Sequence, residues 1–318
     1  MAPSNNEIVF TVITPVYNGE KFIEETINSV LRCTDKGNSE VLVVDDGSTD
    51  STPEILKGFG DSIIVITQRN SGQSSAINHG LKFAKGTFSI IVNADDPLCS
   101  GQLFEEALSV FSKQGEIVAV YPDWQIINDS GGVVRTIQVK EFSRLELVGN
   151  FNCLIGPGGI FRTSIAREVG GWSSAYKFVP DYDFWLKLSA FGDFKRIPGV
   201  HALWREHEES ISVKSKGLEM ANERIRVISD HIFERGQDAN IEKLALSNAF
   251  FHAAILGFFD ARIPARTWFF RAAHLSPINI LRKKKKTIIY LSLYPLSRLL
   301  FSRLLRLSFL KSTLINYR

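Results

Sequence analysis

A chain of 318 residues, 44% of them apolar and with a formal net charge of +3, has the length for about two domains and a sizeable core. Its three cysteines, Cys33, Cys99 and Cys153, lie far apart, show no metal-ligand spacing and cannot all pair, which favours a reduced compartment over a disulfide framework. No basic-then-apolar leader precedes the first apolar run near Glu7, which argues against secretion by a signal peptide.

Three apolar runs in the first hundred residues, at 11–18, 41–48 and 88–96, end in short polar clusters. Each run of about four to six largely β-branched residues suits a strand buried on both faces, and a helix-like stretch follows each one. After the first run, Phe22, Ile23, Ile27, Val30 and Leu31 recur at helical spacing; after the second, Ser51-Thr-Pro53 supplies a cap and a first-turn proline. Residues 63–67 read as another strand, 128–132 as a hairpin turn, and 156–159 as a glycine-rich loop where backbone approaches something closely. From about 217 to 273 the pattern is helical. The layout is parallel α/β, in which ligands bind beyond the carboxyl ends of the strands. Asp45, Asp46, Asp95 and Asp96 fall there, and such a cluster of acids asks for a cation.

Five motifs, in order over residues 8–212, resemble the inverting, nucleotide-sugar-dependent family-2 glycosyltransferases of the GT-A fold. They are Thr14-Pro-Val-Tyr-Asn18, Val44-Asp-Asp-Gly-Ser-Thr-Asp50, Asn70-Ser-Gly-Gln-Ser-Ser-Ala-Ile-Asn-His-Gly80, Asn93-Ala-Asp-Asp96 and Pro180-Asp-Tyr-Asp-Phe-Trp-Leu-Lys187. The resemblance implies a Rossmann-type mixed α/β sheet with helices on both faces, here followed by a helical extension. The implied division is a catalytic domain over 1–215, the extension over 216–275 and a tail over 276–318.

The same resemblance implies the chemistry. A nucleotide-diphosphate sugar, by expectation a UDP-sugar, loses a leaving group whose growing charge a divalent metal neutralises. Asp95 and Asp96 are the expected ligands of Mn2+ or Mg2+, with His207 as a third, and Asp95 is also expected at the donor. The bland alternative for the Asp pair is capping the next helix. Asp46 is expected to accept from the base; Thr14, Pro15, Tyr17, Asn18, Asn70 and Gly72 are expected around the nucleotide, and Arg205 at phosphate or at local glutamates. Asp181 is expected as the general base that takes the acceptor hydroxyl's proton, and Asp183 as the cap of a helix beginning at Phe184. Two departures from the family pattern stand out: Asn93 replaces the first acid of the metal motif, and Pro180 the first acid of the base pair. They leave open a catalytically inactive, sugar-nucleotide-binding scaffold. A phosphoacceptor signalling domain also has an acid pair at a strand end, but it would start with that strand.

Charge is uneven along the chain. Of 37 Lys and Arg, thirteen lie from Arg262 onward with no acid among them, leaving 24 against 34 acids before it. The tail is also rich in Leu, Ile, Phe and Tyr, unlike a nucleic-acid arm. Its longest uncharged run, residues 287–297, is 11 residues against about 20 needed to span a bilayer. Drawn as a helix, Arg298, Ser302, Arg303 and Arg306 fall on one arc and Leu300, Phe301, Leu304 and Leu307 on the opposite one. The expectation is a cytoplasmic protein held peripherally on the inner, anionic face of the cell membrane, acting on a glycan or lipid-linked acceptor, with no nucleic-acid partner. The alternative is a basic helix packed on the acidic body.

Overall fold

The structure is a computed structural model that describes residues 8–34, 38–113, 116–150, 152–207, 217–235, 238–257 and 265–282. Strands β1 (Phe10–Val16) and β2 (Ser39–Asp45) are apolar runs buried along almost their whole length, as parallel strands covered on both faces must be. They pair in parallel from Phe10 opposite Ser39 to Val16 opposite Asp45, so both end side by side. On the other flank of β1 lies β4 (Phe88–Ile91), and beyond β2 lies β3 (Ile64–Thr67), both parallel to their neighbours. Helices α1 (Ile23–Cys33), α2 (Thr52–Lys57) and α3 (Gln73–Phe83) make the crossovers, and α1 buries Ile23, Ile27 and Val30 at the expected spacing. Ser51 makes no side-chain cap for α2; Asp50 accepts from the Thr52 N–H at 3.0 Å instead.

The second half of the sheet is mixed. Helix α4 (Gln102–Lys113) leads to the long strand β5 (Ile117–Ile127), a hairpin to β6 (Val133–Ile137), then β7 (Ile160–Arg162), α5 (Thr163–Glu168), α6 (Pro180–Leu188) and β8 (Asp193–Arg205). The order is β3-β2-β1-β4-β7-β5-β6, with β8 parallel to β5. The expected hairpin turn is present, held by Asn128 Oδ1 accepting from the N–H groups of Ser130 and Gly132. The expected close approach is also present: a Cβ on Gly156 would strike the Trp124 indole.

The described chain divides into two compact units. The first comprises Met1–Phe142, Leu154–Ala175 and Lys187–Val213; the second Ser143–Cys153, Tyr176–Leu186 and Lys214–Arg318. Residues 143–153 and 176–186 thus group with the C-terminal helices rather than with the sheet. In the second unit, α7 (Gly217–Arg235), α8 (Ala239–Gly257), α9 (Ala265–Leu275) and α10 (Pro277–Arg282) build a core around Phe251, Trp268, Phe269 and Ile280. The π-helical turn Leu145–Gly149 is tied to α8 by Asn248, which donates to the Gly149 carbonyl at 2.7 Å. Among the described residues no helix is long and apolar enough to cross a membrane. The basic tail beyond Arg282 lies outside the described residues.

Candidate active site at the sheet edge

Two turns at the carboxyl ends of β1 and β2 are laced together. Asn18, the non-glycine residue with positive φ (51°) among those described, donates its N–H to Ser48 Oγ and accepts the Thr49 N–H on its own side chain. Its short amide tolerates this left-handed conformation better than most side chains. Gly19 and Glu20 donate their N–H groups to Thr52 and Asp50. Tyr17 stands half exposed above this lacing, whereas Thr14 and Pro15 are buried within β1. Thr14 and Pro15 build the end of the strand that carries Tyr17 and Asn18.

Asp46 is also turned inward. Only 3% exposed, it accepts from Gln68 Nε2 at 2.7 Å and from the Ser71 and Gly72 N–H groups at 2.8 Å each. Its carboxylate therefore shapes the loop that presents Asn70 and Gly72 and starts α3. Gly47 (φ 75°) lets the turn come close: a Cβ there would sit 3.0 Å from the Asn70 nitrogen. Asn70 and Gly72 are exposed.

The metal-motif segment leaves β4 beside the same edge. Neither Asp95 nor Asp96 caps a helix, since α4 starts at Gln102. Asp95 is partly exposed, and its Oδ2 lies 2.8 Å from His207 Nε2. Asp96 is 4% exposed and accepts from the Arg205 N–H on Oδ1 and from Asn93 Nδ2 on Oδ2, both at 2.9 Å. Burial, then the neighbouring Asp95 charge, push the Asp96 carboxyl well above its usual range, against the bonds from Asn93 and Arg205 and the Arg205 charge. Asn93 in turn accepts from Gln73 at the start of α3. The amide at position 93 can donate to one carboxylate and accept from another amide, which a carboxylate could not do.

Arg205, expected at phosphate or at local glutamates, pairs with a glutamate that is distant in the chain. Its side chain is 1% exposed and all its bonds are internal. It donates to the carbonyls of Asp95, Asn128 and Asp129 and to the Glu25 carboxylate at 2.7 Å, while its guanidinium lies 4.6 Å from the Phe22 ring centre. It braces β4's exit, the β5–β6 turn and α1. Phe22 also meets His207, at 5.2 Å between ring centres, and Lys21, whose Nζ bonds Asp129 at 2.6 Å. In the sequence Phe22 reads as an apolar helix position, and nothing in the local pattern marks it, Glu25 or Lys21 as part of this site.

Asp95 and His207 fit a hard divalent cation: a solvent-reachable carboxylate beside an imidazole, with positions left for diphosphate oxygens. Asp96 does not fit as a direct ligand, because both its oxygens are engaged and it is withdrawn from solvent. Among the described residues no group of three or more His, Cys, Asp or Glu is placed to hold a metal unaided.

Asp181 belongs to the second unit. Helix α6 begins at Pro180, where the missing N–H costs nothing, so Asp181 and Asp183 both lie in its first turn. Asp183 is buried within that turn and is not the cap of a helix starting at Phe184. Asp181 is reached by solvent, yet protein packs densely enough around it that lost solvation pushes its carboxyl above the ordinary range, against lowering by backbone N–H groups and the Arg224 charge on α7.

These features agree with what the chain is similar to. The family model for glycosyl transferase family 2 matches residues 11–170. An uncharacterised glycosyltransferase of Rickettsia typhi is 28% identical over 228 residues, covering 70% of this chain and 68% of that protein. The hyaluronan synthase of Pasteurella multocida is 28% identical over 69% of this chain but only 22% of its own length. Among solved structures, S. aureus TarS (residues 1–349, in complex with UDP-GlcNAc) superposes with a TM-score of 0.67 at 20% identity, over 83% of this chain and 79% of that one. A mannosyltransferase from Pyrobaculum calidifontis, in complex with GDP-Man and Mn2+, gives 0.55 at 17% identity over 92% and 88%. The chain belongs to glycosyl transferase family 2 and is a glycosyltransferase of GT-A fold.

Proposed function

We propose that the protein transfers a sugar, with inversion at the anomeric carbon, from a nucleotide-diphosphate sugar to a hydroxyl of a glycan or lipid-linked acceptor in cell-surface polysaccharide synthesis. The observation that carries this is the Asp95–His207 pair: a solvent-reachable carboxylate and imidazole at the carboxyl edge of a mostly parallel sheet, braced from behind by Arg205. A UDP-sugar is favoured by the similarity to TarS, whose structure holds UDP-GlcNAc. Tyr17, Asn18, Asn70 and Gly72 line the exposed side of the laced turns and are the residues we assign to the nucleotide. Asp95 and His207 would hold Mn2+ or Mg2+, which when bound neutralises charge growing on the leaving diphosphate. Asp181 takes the acceptor's proton, and a raised carboxyl suits a base that works nearer neutrality.

A lipid-linked acceptor goes with the peripheral membrane binding we propose. Helix α9 carries Arg266, Arg271 and an exposed Phe270 and no acid. An open groove of about 580 Å³ beside it is lined by Phe250, Thr267, Phe270, Arg271, His274 and Leu275. Apolar and cationic groups together suit an anionic interface. The deciding experiment is hydrolysis and transfer with a panel of UDP- and GDP-sugars, with and without Mn2+. Activity with a UDP-sugar that requires the metal is expected, and no turnover of any donor sinks the reading.

A further inference from the structure

The stretch leading into α6 is held from α7, within the same unit. Glu223 accepts two consecutive backbone N–H groups on its two carboxylate oxygens, those of Lys177 and Phe178, at 2.7 Å each. Tyr176 donates its hydroxyl to Asp230 at 2.6 Å, and Arg226 lies 4.8 Å from the Tyr176 ring centre. Burial and then Asp230 raise the Tyr176 hydroxyl's pKa, keeping it a donor. Three successive residues are thus tied to Glu223, Arg226 and Asp230, which at spacings of three and four share one face of α7. Lys177 is exposed. Water would satisfy its N–H if Glu223 did not, so that bond adds little net stability. What it does is fix position, three to four residues before Asp181.

We propose that Glu223 and Asp230 are positioning residues that set where Asp181 stands, so that α7 is part of the catalytic apparatus and not an appended extension. The proposal rests on Asp181 being the general base. Reaction rates fall steeply when a catalytic group is displaced, by as much as about 100-fold for 1 Å. Removing both Glu223 bonds should therefore lower the rate without touching the donor's own contacts.

The test uses the full-length enzyme in steady-state transfer assays. Glu223→Ala is expected to lower kcat about tenfold or more, and Glu223→Gln less, since the amide keeps one acceptor. Donor KM should stay within about twofold of wild type, a split expected when ground-state binding is untouched. In an Asp181→Asn background the same Glu223→Ala change should cost nothing further, because the group it positions is already disabled. Equal losses in both backgrounds overturn the proposal, as does a wild-type kcat in Glu223→Ala. Should Glu223→Ala fold poorly, Asp230→Asn tests the second anchor with shape preserved, under the same outcomes. If Asp181→Asn itself transfers normally, the base assignment fails, a result distinct from failure of the positioning role of Glu223 and Asp230.

Discussion

In the sheet unit, Asp46, Asp96 and Asp123 are buried and each accepts two or more hydrogen bonds from the protein. In the helical unit, Asp181 is reached by solvent, though closely surrounded by protein, on the first turn of a helix whose approach is tied down by α7. Asp95 is the sheet unit's counterpart: partly exposed, its carboxylate paired with one imidazole. The comparison separates acids that build from acids that work. A builder's lone pairs are spent on the fold, so changing it costs stability; a worker's are kept for ligands, so changing it costs function at little cost in stability.

The largest effect on stability is expected at the principal brace. Arg205→Met removes donors from three part-buried carbonyls and separates Glu25 from its partner. A loss of about 2 kcal/mol is expected, in the range for losing charge-assisted hydrogen bonds, because Glu25 is half exposed and water can replace part of what it loses. Thermal unfolding reads this directly. A variant that melts with wild type but binds donor poorly would return Arg205 to the phosphate role.

Next comes the working acid of the helical unit. Asp181→Asn should keep donor binding by calorimetry and lose transfer by about 10²-fold or more, because an amide cannot accept the proton. Inactivity of Asp183→Asn with Asp181→Asn near wild type would reverse the two.

The adjacent pair gives the sharpest contrast. Asp95→Ala and His207→Ala are expected to weaken Mn2+-dependent donor binding about 10- to 100-fold while melting near wild type. Asp96→Ala is expected to lower the melting temperature as well, since it strips acceptors from Asn93 and the Arg205 backbone. Identical behaviour of the two aspartate variants would erase the distinction.

The sheet, its strand-end acids and the hairpin at 128–132 were readable because period, run length and turn chemistry are local properties. Which acid builds and which works was not. Asp95 and Asp96 are adjacent and chemically identical, and they differ through their partners: Asn93 and Arg205 at Asp96, the latter 109 residues away in the chain, and His207 at Asp95. Arg205 likewise looks like a ligand-binding arginine until Glu25, 180 residues away, is beside it. The start of α6 was legible in Pro180 but was masked by reading that position as a missing acid. That residues 176–186 group with the C-terminal helices depends on contacts such as Lys177 with Glu223, which no short-range pattern announces.

The smallest effect concerns a builder away from the site. Burial alone would raise the Asp123 carboxyl, but hydrogen bonds from Arg196 and from the Val139 and Gly199 N–H groups, with the Arg196 charge, outweigh it and hold the group below its usual value. A carboxyl depressed in the folded state contributes stability above its unfolded value of about 4 and loses that contribution as pH falls through the folded value. Asp123→Asn should therefore cost about 1–2 kcal/mol at pH 7, judged from the bonds lost to a charged partner. It should cost progressively less below about pH 4, where the unfolded chain's carboxyl, and at lower pH the folded one, takes up its proton. Melting curves of both proteins between pH 7 and pH 3 should converge at the acid end. Curves that stay parallel would mean that the Arg196 pairing adds nothing beyond shape, and that Asp123 builds through packing alone.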